Sequence, residues 1–270
     1  MSNAENFAFP DKVQQQNHQQ YTPPVDIVEL PSEGKFYPSD HPLHNKKTVE
    51  IYYMTTKQED ILVNTAYNKA GIVFDKLIES ILVDRSINPD SLLTGDRSAI
   101  ILNARINGYG ADYGVRMSCE HCYNLNDLEL DLSKVENKQI DYSKIKITPE
   151  GNIVIDLPKT KIKVEVKMLT GADEKELYEK TSAKEKYNLP QQAITERYSQ
   201  MVKSVGGKTD PVYISNFVSN MPILDSRTLR KTYYEYVPDI DFTYKYECKS
   251  CEHVNEGGVP VLGNFFWPDE

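Results

Sequence analysis

Apolar residues recur at helical spacing in the first part of the chain. Between positions 71 and 84, Ile72, Leu77 and Ile81 fall on one stripe with their apolar neighbours. A stripe with this period predicts a helix that faces a hydrophobic core.

Two further helices are predicted from their start signals. Thr56 and Glu59 have the spacing of a capping box, which predicts a helix from there to about residue 67. Asp96 is the expected N-cap of a helix that runs to Ile106, where Asn-Gly follows. Short strands are predicted at 27–30 and 49–54.

Downstream of about residue 110 the pattern changes to a period of two. The segment 161–168 alternates apolar and polar residues, which is typical of a strand with one polar face. The segments 145–147 and 153–157 flank a Pro-Glu-Gly-Asn turn, so they predict a hairpin. Further extended segments are predicted at 112–117, 125–132, 241–247 and 254–261.

The helical period returns between residues 171 and 237. One stripe includes Ile194, Met201 and Val205, so we expect a single helix over 194–205 that stops at the following glycines. Other helices are expected after Gly171 and at 213–221 and 226–237. The fold class predicted from these patterns is α+β, with a helical N-terminal part followed by β-hairpins.

The four cysteines form two Cys-x-x-Cys pairs, Cys119 with Cys122 and Cys248 with Cys251. Two such turns can direct four thiolates at one cation, which is the shell of a structural zinc. Each pair lies between two predicted strands, so each is expected at the tip of a hairpin. Because four sulfur ligands leave no position for water, we expect one structural zinc per chain and no catalysis there.

The segments 113–119 and 242–248, which lead into the two pairs, resemble each other. Two similar hairpins that face each other across one metal form a zinc ribbon. Here 125 residues separate Cys122 from Cys248, whereas a compact site has roughly 12–20. We therefore predict a split zinc ribbon with an insertion between its knuckles. The predicted parts are a disordered or extended arm at 1–26, a core domain at 27–133 plus 238–270, and an inserted strand-plus-helix domain at 134–237.

Other chemistries for the four thiols stay open at this point. Disulfides within the pairs are disfavoured in a cytoplasmic chain, and a redox dithiol is expected at a helix N-terminus rather than between strands. An iron–sulfur cluster is chemically possible with four cysteines. His121 and His253 lie beside the pairs and can replace a cysteine as ligand, although four cysteines already complete the shell.

Charge and composition narrow the class of partner. The 270 residues include 31 Lys and Arg against 40 Asp and Glu, a net charge of −9. This balance makes nucleic-acid binding unlikely as the main role, since that binding needs Lys and Arg to neutralise phosphates. It also disfavours a polybasic membrane anchor. The 18 tyrosines suit surfaces that become protein interfaces.

No targeting or membrane signal is evident in the sequence. No apolar run approaches the roughly 20 residues that span a bilayer, and the first residues lack the pattern of a signal peptide. We therefore expect no membrane contact and a chain made and kept in cytoplasm.

The chain carries none of the common catalytic or phosphate-binding motifs. We therefore expect no enzyme and no small-molecule substrate. The lysines of 159–167 are typical of the polar face of a strand, with contact to single-stranded nucleic acid as the lesser alternative. The aromatic residues at 265–268 either pack on the chain's own core as a latch or anchor it to a neighbour.

Three stretches carry a resemblance to a known family. They are VELPSEGKFYP at 28–38, INPDSLLTGDR at 87–97 with INGYG at 106–110, and CKSC at 248–251 with NFFWP at 264–268. In them the chain resembles the baseplate hub subunits and hub assembly proteins of T4-like contractile-tailed phages. The resemblance covers nearly the whole chain from about residue 27. It implies a structural or assembly role among other tail and baseplate proteins, in the virion or in the host cytoplasm during assembly.

Two other classes of function compete with this one. A zinc-ribbon protein of a transcription apparatus would bind nucleic acid with an affinity that falls steeply with salt. A metal-dependent hydrolase would need at least one non-protein ligand on its metal.

Overall fold

Helices and short antiparallel strands alternate along the chain, as the computed structural model shows for residues 22–186, 192–258 and 265–266. The elements up to the first cysteine pair and just beyond are β1 (Val25–Glu29), β2 (Thr48–Tyr52), α1 (Thr56–Leu62), α2 (Thr65–Ala70), α3 (Val73–Ile81), α4 (Thr94–Tyr109), β3 (Asp112–Ser118) and β4 (Leu125–Asp131). The elements that follow are β5 (Glu136–Asn137), β6 (Lys146–Ile147), β7 (Ile153–Asp156), β8 (Lys163–Val166), α5 (Gly171–Lys186), α6 (Ala193–Met201), β9 (Val202–Val205), α7 (Pro211–Ser219), α8 (Ile223–Tyr236), β10 (Ile240–Asp241), β11 (Thr243–Glu247) and β12 (Val254–Gly258).

This mixture of helices and small antiparallel sheets confirms the α+β class. Residues 1–21 of the predicted arm lie outside the described residues, and β1 begins at Val25, two residues before the predicted strand. The apolar stripe predicted over 71–84 is buried on α3, through Val73, Leu77, Ile78 and Ile81.

The single helix predicted over 56–67 is wrong, because the chain forms α1 and α2 there. Asn64 divides them: its side-chain oxygen accepts hydrogen bonds from two backbone N–H groups in the first turn of α2, which makes it an N-cap. The capping box also lies one residue earlier than predicted. The side-chain oxygen of Gln58 accepts the backbone N–H of Thr55 at 3.0 Å.

Asp96 is not an N-cap, because α4 begins at Thr94 and Leu93 occupies the capping position. The Asp96 carboxylate is instead fully buried. It accepts the backbone N–H of Ser32 at 3.0 Å, the Ser32 hydroxyl at 2.6 Å and the Tyr37 hydroxyl at 2.7 Å. The first turn of α4 thereby holds the loop that follows β1.

The strands β6, β7, β8 and β9 form one antiparallel sheet in that order. Its first three strands confirm the predicted hairpin and the predicted strand with one polar face. The single helix predicted over 194–205 is wrong, since α6 ends at Met201 and the next four residues form β9, which pairs with β8 and places Val205 opposite Val164. A short valine-rich run fits either helix or strand by pattern, and here the edge of β8 supplies the backbone partners. Ile194 of the predicted stripe is 54% exposed.

The two ends of the long segment between the cysteine hairpins lie next to each other. Strand β5 pairs antiparallel with β10, so that Glu136 lies opposite Asp241. The backbone N–H of Lys138 also donates to the carbonyl of Asp239 at 2.9 Å. A bond from the Thr94 N–H to the Leu169 carbonyl ties this segment to α4.

The aromatic residues near the C-terminus pack as a latch where the structure describes them. Phe265 and Phe266 are each 2% exposed. Phe265 meets the ring of Tyr113 edge-to-face at 5.3 Å between centroids, and its carbonyl accepts the Nε–H of buried Arg105. The other two residues of the predicted aromatic end, at 267 and 268, lie outside the described residues.

Candidate metal centre

The two cysteine pairs lie at the tips of two antiparallel hairpins, as the sequence predicts. The pair at 119–122 joins β3 to β4, and the pair at 248–251 joins β11 to β12. The hairpins meet tip to tip, although they are far apart in sequence. All four cysteines are free thiols.

The four sulfur atoms form a compact cluster within 4.8 Å of one another. The Cys119 and Cys251 Sγ atoms are 3.7 Å apart, and the Cys122 and Cys248 Sγ atoms are 3.6 Å apart. A tetrahedral zinc with sulfur ligands at about 2.3 Å requires sulfur–sulfur distances of about 3.8 Å. These two distances are therefore close to those of a tetrahedral zinc shell, and all four sulfurs lie near enough to one another to share one ion.

Both knuckles have the same backbone conformation. The N–H of Tyr123 donates to the Cys119 carbonyl at 3.0 Å, and the N–H of Glu252 donates to the Cys248 carbonyl at 2.9 Å. Tyr123 and Glu252 both have φ of 59°, in the left-handed region that non-glycine residues seldom adopt. The same uncommon turn is thus used twice, and each copy aims two sulfurs at the common centre.

Backbone N–H groups stabilise the thiolate form of the first cysteine of each pair. The Ser250 N–H points at the Cys248 sulfur at 3.4 Å and is the largest of several hydrogen bonds that, against burial, lower the pKa of Cys248 to about 6. Burial acts to raise the pKa of Cys119, but N–H groups of its own knuckle, together with the side chains of Asn255 and Cys251, outweigh burial and bring that pKa below its ordinary value. The His121 N–H, at 3.4 Å from the Cys119 sulfur, is one of these donors.

The fourth proton of the cluster is the hardest to remove. The His253 N–H acts to lower the pKa of Cys251, but burial and the neighbouring thiols raise it to about 12. Four crowded sulfurs cannot all carry negative charge without a compensating cation. A divalent ion at the centre would supply that charge, as happens when thiols bind metal and release their protons.

Two buried asparagines, which the sequence-based prediction missed, lock the two hairpins together. The Asn126 side-chain oxygen on β4 accepts the N–H of Lys249 at 3.0 Å, and its Nδ2 lies 3.6 Å from the Cys248 sulfur. Asn255 on β12 does the same in the opposite direction, accepting the N–H of Glu120 at 2.8 Å. Each asparagine therefore shapes the knuckle of the other hairpin.

The signal for these asparagines is present in the sequence. Asn126 follows Cys122 by four residues, and Asn255 follows Cys251 by four residues, so both copies read Cys-x-x-Cys-x-x-x-Asn. Asparagine does not by itself indicate a metal site as paired cysteines do, so the spacing that both copies share is the signal that could have predicted its role.

Replacing Asn126 by Ala is expected to weaken metal binding about 10- to 100-fold, the usual effect of losing a residue that orients the ligands. The change removes a donor to the Cys248 sulfur and the acceptor for the Lys249 N–H. Competition with a chelator of known affinity measures the effect. Asn124→Ala is the matched control, because the side chain of Asn124 is exposed; equal losses in both variants would contradict the role of Asn126.

The two nearby histidines are not part of the cluster. The rings of His121 and His253 stack on each other with centroids 5.3 Å apart, and the four grouped donors are all cysteines. Their stacking adds a contact between the two hairpins.

The fold and this cluster define a mixed α+β protein in which two distant hairpins meet at a four-cysteine centre. Residues 25–267 match the family model described as T4 bacteriophage base plate protein. The chain belongs to this family, which gives it a structural role in the phage baseplate and a place in the virion tail. No curated protein and no solved structure matches the chain. Of the helices that the structure describes, none has the length and apolar character needed to cross a membrane.

Proposed function

We propose that this chain is a structural or assembly component of the hub, or of the wedge–hub contact, in the tail baseplate of a contractile-tailed phage. It acts through protein–protein interfaces with other tail proteins and has no small-molecule substrate. The observation that carries this proposal is the family match over 25–267. The acidic charge of −9 agrees with protein rather than nucleic-acid partners.

The proposed cofactor is one structural zinc per chain, held by Cys119, Cys122, Cys248 and Cys251. The sulfur–sulfur distances and the repeated knuckle support zinc in a split ribbon. When bound, the ion would supply a closed cross-link between the two hairpins, and four sulfur ligands leave no position for a reacting water.

The proposed domain division places 27–133 and 238–270 in one core domain and 134–237 in an insertion. The pairing of β5 with β10 supports it, because the chain leaves and returns there side by side. The metal cluster then closes the core across the insertion.

Among the residues that the structure describes, one Ser–His contact resembles a catalytic pair, that of Ser91 with His41. Its hydrogen bonds run in the wrong direction for catalysis, which supports a non-catalytic role. The His41 Nδ1 accepts the N–H of Leu43 at 3.1 Å, so a neutral His41 carries its proton on Nε2, 2.8 Å from the Ser91 oxygen. Ser91 in turn donates its hydroxyl proton to the Asn88 carbonyl at 2.7 Å. His41 is thus a donor to Ser91 and not the base that would activate it.

The test is purification of an affinity-tagged chain from phage-infected cells, followed by mass spectrometry of what accompanies it. We expect other tail and baseplate proteins, with the chain present both in assembly intermediates and in mature virions if it is a permanent component. Presence in intermediates alone would define an assembly factor. Recovery without any tail protein would disprove the proposal.

A further inference from the structure

A groove of about 640 Å³ runs between β1 and β5 over the surface of α4. The apolar part of its lining, called the floor below, is formed by Ala99, Leu102, Ile106, Leu132 and Ile240. Polar residues that include Asn103, Ser133 and Gln139 form the larger part of its exposed lining. The groove lies away from the cysteine cluster, and the proposed metal site does not involve it.

One wall of the groove is the outer edge of β1. Leu30 donates its N–H to Lys47 at 2.8 Å, and Pro24 accepts the N–H of Tyr53 at 2.9 Å, so the even-numbered residues of this strand bond towards β2. In an antiparallel pair the intervening residues direct their backbone groups to the other side. Ile27 and Glu29 therefore face away from β2, and both line the groove.

This edge offers hydrogen-bonding groups for an additional strand. The Ile27 N–H is bonded to the Asp26 side chain at 2.9 Å, whereas the residues described provide no strand partner for the Ile27 carbonyl or for Glu29. The outer edge of β2 differs, because Glu50 accepts the N–H of Val83 at 3.2 Å there. The two-stranded sheet of β1 and β2 is thus bonded along the outer edge of β2 and open along the outer edge of β1, which faces the groove.

The opposite wall of the groove is also a strand edge. Lys138 bonds towards β10 through its N–H, so Asn137, its neighbour on β5, faces the other way. The Asn137 carbonyl accepts the Gln139 side chain at 3.0 Å, which leaves the Asn137 N–H for a further partner. Two strands therefore flank a groove with their outward edges, and the described residues contribute no strand between them.

The charge of the groove is one-sided. Glu29 and Glu136 are exposed on its rim, and no Lys or Arg is among the residues that line it. An occupant with a basic residue next to apolar ones complements such a surface.

We propose that this groove binds an extended segment of a partner protein as an added β-strand, with apolar side chains on the floor and Lys or Arg against Glu29 and Glu136. Unpaired strand edges are templates for this mode of recognition, in which backbone bonds give affinity and side-chain positions give specificity. The identity of the partner as a baseplate protein rests on the proposed function. The mode of binding is independent of it, since it rests on the strand edges and the charges of the groove.

The test uses the full chain and fluorescein-labelled octapeptides, with binding measured by anisotropy. We expect KTVKVTVK to bind, and its acidic counterpart ETVEVTVE to bind at least about tenfold more weakly. N-methylation of alternate amides in the basic peptide should abolish binding, because it deletes backbone donors and keeps charge and side chains.

The double variant Glu29→Arg/Glu136→Arg should lose at least about tenfold in affinity for KTVKVTVK. Its control is Glu59→Arg/Asp60→Arg, which makes the same charge change at exposed positions on α1 and should bind as the unaltered chain does. Circular dichroism melts establish that both variants fold.

Four results would overturn the proposal: no binding of the basic peptide, equal losses in both double variants, undiminished binding of the methylated peptide, or slow hydrogen exchange of the Glu29 amide in the isolated chain. The last would mean that another part of this chain or a second copy already occupies the edge. Failure of peptide binding would leave baseplate membership intact, and absence of the chain from baseplates would leave peptide binding intact.

Discussion

Cys248→Ser is expected to abolish stoichiometric metal binding and to lower the thermal midpoint of the chain by about 10 °C or more. The change removes one of the four proposed sulfur ligands and the atom that both Ser250 and Asn126 contact. Because β11 and β12 meet β3 and β4 at this centre, loss of the proposed ion would remove a cross-link between the two hairpins. Metal analysis by mass spectrometry and a thermal melt measure the two effects.

Ser250→Ala is the matched control, since it changes an exposed side chain in the same knuckle and keeps the backbone N–H that contacts Cys248. It should bind one zinc per chain and melt as the unaltered protein does. X-ray absorption of the metal-loaded chain should give four sulfur neighbours at about 2.3 Å. Unchanged metal content and melting in Cys248→Ser would contradict a metal at these four cysteines. Iron in the purified chain would indicate an iron–sulfur cluster and not zinc.

Asp96→Ala is expected to destabilise the fold by about 3 kcal/mol or more, because it leaves three buried donors without an acceptor. These donors are the N–H and hydroxyl of Ser32 and the hydroxyl of Tyr37. Both hydroxyl oxygens already accept a backbone N–H group. They cannot rotate towards another acceptor without losing that bond. Urea unfolding followed by fluorescence measures the change.

The same carboxyl should make stability depend on pH. Burial raises the pKa of Asp96 above its ordinary value. A group that binds its proton more tightly in the folded chain favours folding below its unfolded pKa, and this contribution is lost as pH rises through the folded pKa. From about pH 4 upwards, the unaltered chain should therefore lose stability relative to Asp96→Asn, which does not titrate.

Asp60→Ala provides the control for both measurements, since Asp60 is exposed on α1. It should change the free energy of unfolding by no more than about 0.5 kcal/mol. An Asp96→Ala variant as stable as this control would mean that the buried hydrogen bonds contribute nothing measurable.

The proposed metal centre shows how far sequence spacing reaches. Two Cys-x-x-Cys pairs identify four donors and predict their hairpins, because a short turn between strands is a local structure. The spacing does not give the relative position of the hairpins. Where they meet, Asn126 and Asn255 join them by reciprocal hydrogen bonds, and the tertiary structure is needed to see these bonds.

Two of the errors in the predicted elements have a common cause. Val202 and Val205 suit the apolar face of a helix or of a strand. They form a strand because the edge of β8 offers backbone hydrogen-bond partners there. Asp96 has the residue type of an N-cap, yet its carboxylate turns inward because Ser32 and Tyr37, over 50 residues away, offer it donors. In both cases a distant partner outweighed a weak local preference.

The sequence by itself determined the α+β class, the core-facing stripe of α3, the two knuckles and their cysteines, and the resemblance to phage baseplate proteins. These depend on the spacing of residues close together in the chain. Only the tertiary structure decided which strand edges are covered, that Phe265 and Phe266 close against α3 and α4, and that the four sulfurs lie within 4.8 Å of one another. The reason is physical: each of these features needs burial or hydrogen bonds between residues far apart in sequence, and the local pattern of a chain does not contain them.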